Sequence, residues 1–69
     1  MIIKVLGDLA KEENVLIELK IGQDGVMSII VTDFRSGNRD YLMIGSDWTN
    51  SDILDCVKDT IRRVKGWDL

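Results

Sequence analysis

Along the last third of the chain, Ile53, Val57, Ile61 and Val64 follow one another at steps of four, four and three, and Leu54 widens the stripe. This spacing predicts an amphipathic helix over 50–65. Thr49 stands where an N-cap belongs, with Asp52 three residues on in the manner of a capping box, although Asp is shorter than the preferred Glu. Trp48 and Ile53 have the spacing of a hydrophobic staple. Asp52 and Asp55 fall near the positive end of the helix dipole, and Arg62, Arg63 and Lys65 near the negative end. Gly66 suits a left-handed residue just past the helix, from which Trp67 can fold back on Ile61 or Arg62.

The middle of the chain reads as a β-meander. Over Val15–Ile21, Val15, Ile17, Leu19 and Ile21 alternate with Leu16, Glu18 and Lys20. Gln23-Asp24-Gly25 signals a hairpin turn. A second strand follows over Val26–Phe34, with Met27, Ile29 and Val31 on one side and Val26, Ile30 and Phe34 on the other. Ser36-Gly37-Asn38 supplies the second turn and Arg39–Ile44 the third strand. The first segment has two readings: Ile2, Leu6 and Leu9 fit a helix face, while Ile2–Leu6 also fits a short strand. The expected fold is α+β, one small domain over residues 1–69: a three-stranded antiparallel meander packed by a C-terminal helix, in the order α-β-β-β-α, or with a strand first.

One helix covers one face of such a sheet, and the central strand is apolar on both. Val26, Ile30 and Phe34 therefore await either the first helix or a second molecule. A homodimer through this face or an edge strand would enlarge the core of a domain this short.

Composition narrows the function mainly by exclusion. The chain has 69 residues, 12 acidic and 9 basic, for a net charge of -3, a balance unlike that of a strongly basic nucleic-acid or membrane-surface binder. No apolar run reaches the roughly 18 residues of a membrane span, and the N-terminal stretch lacks the pattern of a signal peptide. With a single Cys, these features point to the cytoplasm. The absence of His removes imidazole bases, histidine metal ligands and Ser-His or Cys-His nucleophiles. Cys56, beside Asp55 and Asp59, lacks the positive surroundings of a reactive thiol and reads as a core-edge residue. Asp33 with Asp40, Glu12 with Glu13, and Asp52 with Asp55 sit where solvated charges and caps sit. No catalytic group, cofactor or metal site is expected.

Binding residues are the alternative. Arg35 and Arg39 flank the second turn with Phe34 and Tyr41 nearby, and Arg62, Arg63 and Lys65 end the helix; together they could form a modest basic patch for nucleic acid. Their ordinary roles are to keep a sheet edge soluble and to complement the helix dipole. Trp48 and Trp67 bracket the final helix as staple and cap, or as an aromatic pair for a protein partner.

In the order of its elements the chain resembles the small phage-encoded inhibitors of RNA-guided nucleases, the type II anti-CRISPR proteins. The resemblance is carried by Gly37-Asn38 in the second hairpin, Asn50-Ser51-Asp52-Ile53 opening the helix, and Lys65-Gly66-Trp67 closing it. It implies a protein whose acidic and polar loop groups imitate DNA at the site that reads the target's recognition motif. Asn38 and Asp40 carry over to that role, while Arg35 and Arg39 depart from the acidic pattern. The expected function is thus a non-enzymatic, mobile-element-encoded inhibitor that binds a larger protein such as a nuclease effector through Arg35, Asn38, Arg39, Asp40, Tyr41, Trp48 and Trp67. The alternatives are a homo-oligomeric interaction module and a small nucleic-acid-binding regulator.

Overall fold

The structure, a computed structural model, describes residues 2–66; the roles expected of Trp67 lie outside the described residues. The order is α1 (Ile2–Glu13), β1 (Val15–Ile21), β2 (Met27–Asp33), β3 (Arg39–Ile44) and α2 (Asn50–Gly66). The chain is α+β, and its strands form one antiparallel sheet in the order β1-β2-β3.

Helix is the reading realised by the first segment. Leu6 is buried, and Ile2, Leu9 and Ala10 pack beside it against the core, which is the repeat of a helix face and not of a strand. Only Asn14 separates α1 from β1. It sits at φ 56°, in the left-handed region that Asn tolerates better than most side chains, and so turns the chain back within a single residue. The first hairpin closes with the Gly22 amide donating to the Val26 carbonyl at 3.0 Å. Gly25 takes a φ of 81° there, and Asp24 Oδ1 accepts the Val26 amide at 3.0 Å. β2 is shorter than the sequence pattern suggests by one residue at each end, which leaves Val26 and Phe34 in the flanking turns.

Register places Val15, Ile17, Leu19 and Ile21 on the same face as Met27, Ile29, Val31 and Asp33, and as Asp40, Leu42 and Ile44. Both helices pack on this face. Ile29 and Val31 meet Val57, Ile61 and Val64 of α2, with Leu6 and Val15 completing the buried cluster. α1 therefore does not cover the second sheet face. Among the described residues, no layer of secondary structure lies over that face, which is centred on Ile30 and carries Leu16, Tyr41 and Met43.

The capping box forms with Asp in place of Glu. Thr49 Oγ1 accepts the Asp52 amide at 3.1 Å, and Asp52 Oδ2 accepts the Thr49 amide at 3.0 Å. Thr49→Ala is expected to lower stability by about 1 kcal/mol. Equal urea midpoints for variant and parent would contradict this account of the helix start. At the other end α2 runs one residue past the expected boundary, through Gly66, and whether the chain turns there as a cap lies outside the described residues. A side chain from the β2–β3 hairpin takes up a carbonyl of the last turn.

Candidate functional site: the hairpin–helix clasp

That hairpin runs from Asp33 to Arg39. The Asp33 amide donates to the Asn38 carbonyl, and the Gly37 amide to the Asp33 carbonyl, both at 2.8 Å. Gly37 adopts a φ of 78°, a conformation that costs an L side chain about 1–2 kcal/mol. Asp33 is the organising group inside the turn. Its Oδ2 accepts from the Ser36 hydroxyl at 2.8 Å and from the Ser36 amide at 3.2 Å. The Ser36 hydroxyl oxygen in turn accepts the Asn38 amide at 3.2 Å.

Three contacts join this turn and the start of β3 to the last turn of α2. Asn38 Nδ2 donates to the Val64 carbonyl at 3.0 Å, one of the terminal carbonyls that a helix leaves without an internal partner. Lys65 Nζ lies 3.4 Å from Asp33 Oδ1, and Arg63 Nε lies 3.0 Å from Asp40 Oδ2. Arg63 also donates to Thr60 Oγ1 at 3.1 Å, while the buried Thr60 hydroxyl donates to the Cys56 carbonyl at 2.8 Å. The Asp33 carboxyl is held below its ordinary value of 3.8, chiefly by the Ser36 hydroxyl and further by the Ser36 amide and Lys65, against the opposing effect of burial.

The residues singled out in the sequence divide between two faces. Asn38 and Asp40 turn toward α2 and form the clasp. Arg39 and Tyr41 belong to the opposite face, where they line a shallow hollow with Ser28 and Ile30. Arg35 projects from the turn, beside a depression lined by Asp33, Ser36 and Lys65. Trp48 lies apart, half-buried beyond the far end of β3 where α2 begins. Of the self-association trio, only Ile30 lies within a strand; Val26 is half-buried and Phe34 exposed in their turns. The expected basic patch is partly consumed within the fold: Arg62 pairs with Asp59, Arg63 with Asp40 and Lys65 with Asp33. Arg35 and Arg39 make no ion pair among the described residues. No cluster of three or more metal-ligating side chains occurs among the described residues, and no helix is long and apolar enough to cross a membrane.

Sequence reasoning named Asn38 but missed its role as a helix cap, and missed Asp33 and Lys65 as partners. Comparison with family models, curated proteins and solved structures finds no match to this chain. Asn38→Ala leaves the Val64 carbonyl without its donor and is expected to cost about 1–2 kcal/mol. A denaturation series in which Asn38→Ala matches the parent would remove the clasp as a stabilising element.

Proposed function

We propose that this chain is a non-enzymatic inhibitory binding protein, encoded by a mobile element such as a phage, that occupies a surface of a larger protein. The target implied by its resemblance is an RNA-guided nuclease. The clasp is the observation that carries this reading. Gly37-Asn38 and Lys65-Gly66, two of the three segments on which the resemblance rests, are far apart in sequence, yet Asn38 bonds the helix end directly. A hairpin tied to a helix by an amide cap and two ion pairs is presented with little conformational freedom left to lose on binding. Arg35 and Arg39 stand exposed at its rim, so the surface offered is of mixed charge.

The nucleic-acid reading is the weaker, because three of the five cations it would use already hold carboxylates. The test is titration of the protein into a panel of guide-loaded type II RNA-guided nucleases, following cleavage and binding of target duplex. Inhibition relieved by excess duplex carrying the recognition motif is the expected outcome. An absence of both complex formation and inhibition across the panel overturns the nuclease as target. Direct, steeply salt-dependent binding of duplex by the free protein would assign nucleic acid instead.

A further inference from the structure

Three strands leave two sheet edges, and the two differ. The Gly22–Val26 bond fixes the alternation along β1: Leu16, Glu18 and Lys20 direct their amides and carbonyls at β2, while Val15, Ile17, Leu19 and Ile21 direct theirs outward. These outward groups have no hydrogen-bond partner among the described residues. On β3, the Asp33–Asn38 bond sets the same alternation and turns Arg39, Tyr41 and Met43 outward. There the central amide is already taken, because Tyr41 N–H donates to Asp40 Oδ1 at 2.8 Å, and Arg63 holds that carboxylate in place. β3 is thus blocked at its centre by a fixed charge, a common way of closing an edge, and β1 is not.

The helix-facing side of β1 grows barer along the strand. Val15 is 3% exposed, Ile17 is half-buried, Leu19 is 45% exposed and Ile21 70%. α1 therefore does not cover the Ile21 end of the strand. Val5 of α1 lines the groove to Leu54 and Lys58 of α2. Ile3, two residues from Val5 and so on the other side of α1, is 62% exposed.

We propose that two copies of this chain pair their β1 strands antiparallel about a two-fold axis at Leu19, making one six-stranded sheet. Outward groups must meet outward groups, which restricts the register. Centring on Glu18 sets two carboxylates face to face at the closest type of cross-strand position, and centring on Ile17 sets Leu16 against Glu18. Centring on Leu19 sets Glu18 opposite Lys20 of the second copy, twice by symmetry. It also sets Leu19 against its own copy and Ile17 against Ile21. The charges pair on one face, and the two barest apolar side chains of the strand are covered on the other.

The test is sedimentation of the full chain over a wide concentration range, with Glu18→Lys and the double variant Glu18→Lys/Lys20→Glu. A dimer is expected for the parent. The single variant sets lysine against lysine and is expected to weaken the dimer about tenfold or more, and the exchanged pair to restore it. Hydrogen exchange is expected to show the Ile17, Leu19 and Ile21 amides gaining protection as concentration rises. A parent that stays monomeric up to its solubility limit overturns the proposal. So does a dimer insensitive to Glu18→Lys, or one that leaves those three amides unprotected, and either result moves self-association to the open face around Ile30.

Discussion

Replacing Ile29 with alanine is expected to cost about 2–5 kcal/mol. Ile29 is wholly inaccessible to solvent, in the middle of the central strand, and packs in the cluster formed with Val57, Ile61 and Val64. A chain of this length has a total stability of roughly 3–10 kcal/mol at about 0.05–0.15 kcal/mol per residue. The variant should therefore be largely unfolded in mild denaturant, and for a parent at the lower end in water as well. Ile29→Val removes one methyl group and is expected to cost only about 0.5–1.5 kcal/mol. The adjacent Ile30 points to the face that neither helix covers, and Ile30→Ala should cost clearly less than Ile29→Ala. Urea denaturation of the three variants checks the order. Equal losses at the two isoleucines would contradict a fold with both helices on one face.

That contrast marks the limit of what periodicity could tell. α2 was legible because three independent signals agreed: the stripe from Ile53 to Val64, the Thr49–Asp52 spacing, and the placement of charges along the dipole. The three strands and both turns were legible from alternation and from turn residues such as Gly25 and Gly37. α1 was ambiguous because a run as short as Ile2–Leu6 satisfies either period, and the side chain that decides it, Leu6, does so by packing against residues far along the chain. Which face α1 would cover was equally a matter of packing. The clasp was least legible of all. Asp33 and Lys65 stand 32 positions apart, and no local pattern marks a carboxylate in a strand as the anchor of a distant helix end. At the helix end the Asn38 amide from the hairpin reaches the Val64 carbonyl, a partner that no spacing within the helix announces.

Acid is expected to loosen the clasp before it unfolds the core. The folded Asp33 carboxyl lies below its ordinary value of 3.8, with the Ser36 hydroxyl as the main cause. The folded state therefore holds its proton less readily than the unfolded chain. The stability this provides is fully present above pH 3.8 and is lost as pH falls through the lower, folded value. Asp33→Asn keeps the shape but weakens acceptance from Ser36 and removes the charge facing Lys65. It should lower stability at neutral pH and flatten the acid limb of the stability curve. Ser36→Ala, by removing the strongest of the stabilising hydrogen bonds, should raise the pH at which Asp33 titrates, as followed by NMR of its side-chain carboxyl carbon. Titration of Asp33 at or above 3.8 in the parent would contradict the geometry on which the clasp rests. If the clasp presents the binding hairpin, as proposed, association with a protein target should weaken over the same acid range in which Asp33 takes up its proton. Ser36→Ala should move that loss of binding to higher pH while the core packing of Ile29 stays intact.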